Sequence, residues 1–160
     1  MTDPTILDRI QSDITTSMKA RDAETLSTLR MLKTALMEAK TRKPKDAVLS
    51  AAEEIDVLQR YVKKRREVIE EMRKAGRADV IAREESEITV TQRYLPQGMG
   101  EGELRALVGE AIARTGASGP KDAGKVIGAV MAQVKGRAEG GTVSRLVKEA
   151  LPQGGQGSGA

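Results

Sequence analysis

Residues Ser50 to Gly76, SAAEEIDVLQRYVKKRREVIEEMRKAG, decide the fold class. Ser50 and Glu53 have the spacing of a capping box, in which each side chain takes the other residue's unpaired backbone amide at a helix start. Leu58, Tyr61, Val62, Arg65, Ile69 and Met72 then recur every three or four residues and form one inward-facing stripe. Gly76 ends the run, because glycine accepts the left-handed conformation that closes helices. No convincing period-two run bounded by hairpin turns occurs anywhere in the chain. An all-α protein is therefore expected.

Upstream, Asp3 and Pro4 mark a helix start, with proline at the first helical position and aspartate as the cap. Ile6, Leu7, Ile10, Ile14 and Met18 follow at helical spacing. After a break at Arg21 and Asp22 comes a second pattern, Leu26, Leu29, Leu32, Leu36 and Ala39, which Pro44 closes. The two predict a helical hairpin. Downstream, Ile81, Ile88 and Leu95 ride on a charged helix starting near Asp79 and ended by Pro96.

The stretch from Pro96 to Gly102, PQGMGEG, holds three glycines and one proline and is expected to be a linker. Beyond it, Leu104, Leu107, Val108, Ala111 and Ile112 predict a helix that Gly116 ends. Another starts within GPKDAGKV, and a third, capped by Thr142, carries Val143, Leu146, Val147, Ala150 and Leu151. The expectation is an antiparallel domain of about four helices over residues 1–95, a Gly/Pro linker over 96–102, a small three-helix tail domain over 103–151 and a disordered tail over 152–160.

With 160 residues and 17.2 kDa, the chain has room for one ordinary domain or two small ones, which excludes a large multi-domain enzyme. It has no cysteine or histidine, which removes disulfides, thiol nucleophiles, Cys/His zinc sites and the usual acid or base at neutral pH. No cofactor and no metal is expected. Tyr61 and Tyr94 are the only aromatic residues, so base-stacking surfaces are nearly absent. The N-terminal MTDPTILDRIQSD lacks the basic-then-apolar order of a signal peptide, and no apolar run approaches membrane-spanning length. A soluble cytoplasmic protein without membrane association is expected. The net charge of +4 permits polyanion binding, but 23 acidic residues keep the excess mild.

Gly119 to Val126, GPKDAGKV, comes within one residue of a phosphate-binding P-loop. Val126 stands where that motif needs a hydroxyl, and the preceding EAIARTGAS reads as a helix and its stop rather than a buried strand. Ser118 or Gly119 instead reads as an N-cap, Pro120 as the first helical residue, and Asp122 as a charge favourable to the helix dipole. Gly124, Gly128 and Ala132 recur at every fourth position. A glycine inside a helix costs about 1 kcal/mol relative to alanine, so the strip implies close approach by another helix or by a phosphate backbone. Lys125, Lys135, Gly136, Arg137, Arg145 and Lys148 complete a candidate RNA-binding surface with Gly124 and Gly128. The alternative is a solvated basic face whose glycines serve helix packing.

A second basic feature, Lys63-Lys64-Arg65-Arg66 continued by Arg73, Lys74 and Arg77, alternates with Glu67, Glu70 and Glu71, which can pair with it along the helix. Glu84 and Glu87 lie one turn apart and could in principle act as paired carboxylates or magnesium ligands. Without a nearby His, Asp or Cys, they read as interhelical partners of Arg65, Arg66 or Arg77, and Arg65, close to the apolar stripe, is expected to bridge to the next helix. No catalytic residue is assigned, since none of the serines has a convincing partner in the sequence.

Many of these residues also carry a resemblance. DAGKVIGAVMAQVKGRAEGGTVSRLVKEAL in the tail, with MKARD, TLRMLK and KKRREVIEEMRKAGRADVIAREESEITVTQRYLP in the front half, resembles the YqeY family. Through that family the chain is similar to the helical and tail regions of GatB, a component of the aspartyl/glutamyl-tRNA amidotransferase. Ala123 and Ile127 stand where the family usually has Met, and Glu139 where it usually has Asp. The resemblance implies an all-helical protein, a larger N-terminal domain and a small tail that holds tRNA. It also implies glutamine-dependent carbon–nitrogen ligase activity, the label often given to stand-alone members, although the cradle domain that carries amide transfer is missing here. The leading expectation is a non-catalytic module that binds tRNA or another structured RNA, with amidotransferase or translation-related proteins as further partners. Ligase activity and a protein-interaction module are the alternatives.

Overall fold

A computed structural model describes residues 3–152. All but the first residue of the tail expected over 152–160 lies outside the described residues. The chain divides into two compact units, Met1–Leu95 and Pro96–Ala160. Every regular element among the described residues is helical, so the fold class is all-α.

The first unit contains α1 (Ile6–Lys19), α2 (Ala23–Thr41), α3 (Ala51–Lys74) and α4 (Ala78–Gln92). The start of α1 differs from the expected one. Thr5 is the N-cap: its hydroxyl accepts the Asp8 amide at 3.0 Å and the Asp8 carboxylate accepts the Thr5 amide at 3.1 Å. Pro4 therefore lies outside the helix, because a reciprocal cap satisfies two free amides where Asp3 would satisfy one. The buried row of α1 is Ile6, Ile10, Ile14 and Ser17, and this register leaves Met18 54% exposed rather than inward.

Asp22 caps α2 through the Thr25 amide at 3.1 Å, and Thr28, Leu29, Leu32 and Leu36 are buried. Ser50 and Glu53 form the expected capping box at the start of α3. Leu58 meets Ile10, Leu29, Leu32 and Leu36 in the main core of the unit, joined by Val90 and Tyr94 from the end of the unit. Farther along α3, Val62 and Ile69 pack with Ile88 of α4 in a smaller cluster. Burying a side chain of this size contributes about 2 kcal/mol.

The second unit contains α5 (Glu101–Thr115), a 3-10 turn (Pro120–Asp122), α6 (Ala123–Val134) and α7 (Gly140–Ala150). Leu104, Val108 and Ala111 of α5, Val126, Val130 and Val134 of α6, and Val143, Leu146, Val147 and Leu151 form its core. Gly116, with φ of 69°, closes α5 in the left-handed conformation. Two local expectations need correction. Helix α5 begins at Glu101, so the last two residues of PQGMGEG are helical. Helix α7 is capped at Glu139, and Thr142 lies inside its first turn. No described helix is long and apolar enough to cross a membrane.

Candidate functional site

Because Val126, Val130 and Val134 are fully buried, residues two positions away lie about 200° around α6. That geometry puts Gly124, Gly128 and Ala132 on the outer face, where all three are exposed. A Cβ added at Gly124 or Gly128 would meet nothing within 4 Å. The glycine strip thus does not pack against another helix of its unit, which corrects the helix-packing part of that alternative and leaves the solvated face. Lys125 is exposed beside it, and Lys121 is exposed on the preceding turn. Asp122 accepts the Ser118 amide at 2.9 Å, and this hydrogen bond, with smaller help from Lys125 and Lys121, holds its carboxyl below the usual carboxylate range.

At the far end of α6, Lys135 adopts φ 47° and ψ 47°, followed by Gly136 at φ 83°. Gly136 therefore serves the turn that ends the helix rather than a close approach. Arg137 is held inside the unit: its Nε donates to the Gln97 carbonyl at 3.0 Å, its Nη2 lies 3.6 Å from Glu103, and its own carbonyl accepts the Met99 amide at 2.9 Å. Arg145 belongs to a ring of four charges. It lies 3.4 Å from Glu101 and 3.0 Å from Glu149, and Arg105 lies 2.8 Å and 3.4 Å from the same two carboxylates. The ring ties the first turn of α5 to α7; Glu149, ahead of Glu101, keeps the Arg145 guanidinium more firmly protonated than usual. Lys148, one turn beyond Arg145, lines a shallow cleft of about 530 Å3 with Gly141 and Ser144. The structure thus gathers Gly124, Lys125 and Gly128 on one open face, with Lys135 exposed at its end, while Arg137 and Arg145 hold loops and helices together.

In the first unit, Arg65, Glu84 and Glu87 meet between α3 and α4. Arg65 Nη1 lies 3.5 Å from Glu84 Oε2 and Arg65 Nε lies 3.6 Å from Glu87 Oε2, with all three side chains less than one-fifth exposed. These are ion-pair rather than hydrogen-bond distances, and Arg65 Nε and Glu84 Oε2 are buried without a hydrogen-bond partner. The guanidinium stacks on Tyr61, its carbon 4.5 Å from the ring centre. The Tyr61 hydroxyl donates to Glu87 at 3.3 Å; burial, then the Glu87 charge, pushes its pKa up to about 12. The cluster fixes how α3 and α4 cross. No group of three or more carboxylates among the described residues could hold a metal ion. Arg77 pairs instead with Asp79 at 3.2 Å, while Lys63, Lys64 and Arg66 are exposed on α3.

Two polar contacts escaped the sequence reading. Glu54, only 3% exposed, accepts the amides of Ile6 and Leu7 from across the unit, and Tyr94 donates its hydroxyl to Asp13. Burial, then this hydrogen bond, raises the Tyr94 pKa. The one local signal for Glu54 was its place four residues before Leu58, on the inward stripe of α3.

The model of the family described as Yqey-like protein matches residues 7–151. The protein named Altered inheritance of mitochondria protein 41, mitochondrial, of Pyrenophora tritici-repentis is 31% identical over 150 residues, which cover 91% of this chain and 81% of that protein. An uncharacterized protein of Schizosaccharomyces pombe is 35% identical over 89 residues, covering 55% of this chain and 70% of its own length.

Proposed function

The chain belongs to the Yqey-like protein family, and on that premise we propose that its second unit binds the phosphate backbone of a structured RNA, tRNA in the first instance, along the outer face of α6. The observation that carries this reading is the open space above Gly124 and Gly128. A glycine in a helix interior costs about 1 kcal/mol relative to alanine, and no neighbouring helix of the unit offsets that cost here. Close approach by a ligand backbone does. Lys121, Lys125 and Lys135 neutralise phosphates and release their counterions, while the missing side chains let the backbone lie near the helix. With no aromatic residue in the unit, recognition rests on shape and backbone rather than stacked bases. The role is non-catalytic, in an aqueous compartment that holds tRNA, the cytoplasm first.

The test is filter binding of unfractionated tRNA across a salt series. Lys121→Glu, Lys125→Glu and Lys135→Glu together should weaken binding and flatten its salt dependence. A glutamine-dependent ligase activity is the alternative that the family resemblance brings; glutamate released from glutamine by the purified protein, and lost on a single serine or lysine substitution, would replace the present reading. A second reading, docking of a partner protein, is favoured by a separate feature. Ala35, Ala39, Leu49, Ala52 and Val57 form the apolar part of a cleft of about 660 Å3 between α2 and α3. Partners recovered from extract that survive nuclease treatment would favour it.

A further inference from the structure

The second half of α2 and the turn after it carry a net positive charge. From Leu29 to Lys45 the chain carries Arg30, Lys33, Lys40, Arg42, Lys43 and Lys45 against a single carboxylate, Glu38. Arg30, Lys33 and Lys40 stand three and seven residues apart, a spacing that sets them in one row along the helix. None of the three has an Asp or Glu three or four positions away on α2. Ion pairs in this unit are made by other cations, among them Lys43, Arg60, Arg65, Arg73 and Arg77. Lys63, Lys64 and Arg66 of α3, by contrast, each have Glu67 or Glu70 three or four positions further on.

Arg30 and Lys33 line an open groove of about 480 Å3 between α1 and α2. Ile14 and Met37 supply its apolar part, Thr34 and Thr41 add hydroxyls, and Glu38 is the acidic residue among its walls. From Arg30 to Lys40 the helix rises about 15 Å, a length over which one strand of a B-form duplex presents about four phosphates at about 3.4 Å each and a strand of an A-form RNA helix, with its shorter rise, slightly more. An anionic bilayer is the other polyanion such a row could meet. It fits less well, because no Trp, Tyr or Phe lines the groove and its apolar residues are Ile14 and Met37 alone.

We infer that this edge of α2 is a second contact for structured RNA, formed by Arg30, Lys33 and Lys40 and separate from the α6 face. It rests on the RNA-binding reading above for its class of ligand and extends that reading to the first unit.

The test compares full-length variants for binding of unfractionated tRNA between about 50 and about 200 mM salt. The substitutions Arg30→Glu, Lys33→Glu and Lys40→Glu together should lower affinity at least tenfold at about 100 mM salt and reduce the salt slope by roughly 2 to 3. Arg60→Glu, Arg73→Glu and Arg77→Glu change the net charge equally, but at cations already paired with carboxylates, and should lower affinity less than about threefold. Should the first variant lose helix by circular dichroism, the three alanine substitutions keep helix propensity and should still reduce the slope by roughly 2.

Equal losses in the two glutamate variants would overturn the inference in favour of net charge alone. No loss in the α2 variant, alongside a loss in the α6 variant, would overturn it and leave the α6 reading standing. A loss in the α2 variant with none in the α6 variant would do the reverse. Wild-type protein without salt-sensitive tRNA binding would overturn both. An α2 variant that loses binding to phosphatidylglycerol vesicles but keeps tRNA would overturn this one.

Discussion

The buried carboxylate of Glu54 on α3 accepts the backbone amide of Ile6 at 3.2 Å and caps α1 from another helix, with the Leu7 amide at 2.9 Å as a second donor. Glu54→Ala removes the acceptor and leaves these amides unmet, so it should cost about 3 kcal/mol; Glu54→Gln, which keeps one acceptor oxygen, should cost about half as much. Urea denaturation checks both, as a lower midpoint with an unchanged slope. A change below the measurement error for Glu54→Ala would show that water replaces the carboxylate freely.

Arg65 is the cation that meets both Glu84 and Glu87 between α3 and α4. Arg65→Met should cost about 3 kcal/mol or more, because it leaves two largely buried carboxylates without compensation. Adding Glu84→Gln and Glu87→Gln should recover much of that loss. Thermal melts of the single and triple variants measure the difference; a triple variant less stable than the single one would argue against charge as the cause.

Glu53 closes the capping box of α3 and also receives the Lys43 ammonium at 2.6 Å. The Lys43 hydrogen bond, followed by those of Ser50, lowers its pKa to about 2. A carboxyl depressed on folding contributes stability above its unfolded value of about 4.5, and that contribution fades as pH falls towards 2. Glu53→Gln should therefore flatten the stability profile between pH 4.5 and 2 and leave its alkaline side unchanged. Chemical denaturation at stepped pH measures this, and its partial exposure keeps the effect small.

Two glycines of the second unit should respond in opposite directions to alanine. Gly116 sits at φ 69°, so Gly116→Ala should destabilise by about 1 kcal/mol. Gly128 has helical geometry and open space around it, so Gly128→Ala should stabilise by up to about 1 kcal/mol. Urea midpoints of the two variants test the contrast.

Local chemistry made much of the helical pattern legible. Ser50 and Glu53 are three residues apart and satisfy each other, so their cap needs no tertiary partner. The start of α1 was harder, because Asp3 and Pro4 are reasonable start signals, yet the reciprocal cap of Thr5 with Asp8 sets the cap two residues later. An arginine on the apolar stripe of α3 pointed towards a bridge to α4, but which of three cations met Glu84 depended on the crossing of the helices. Glu54 was out of reach, since its donors lie 48 and 47 residues away. The same limit applied to the tail cations. Arg137 looks like Lys125 in the sequence, yet it meets a carbonyl 40 residues away, and Arg145, whose partner Glu149 four residues on was legible, also meets a carboxylate 44 residues away. The glycine strip could have been placed outward once Val126, Val130 and Val134 were recognised as the buried row, because a two-residue offset reverses the face of a helix.

The most direct measurement of the role of α6 is the affinity of full-length Gly128→Ala and Lys125→Glu for unfractionated tRNA, with stability measured on the same samples. RNA contact along this face predicts salt-sensitive binding by the wild type, weaker binding by both variants, and no loss of stability in Gly128→Ala. Wild-type protein that shows no salt-sensitive binding, or variants that bind as tightly as the wild type, would contradict it.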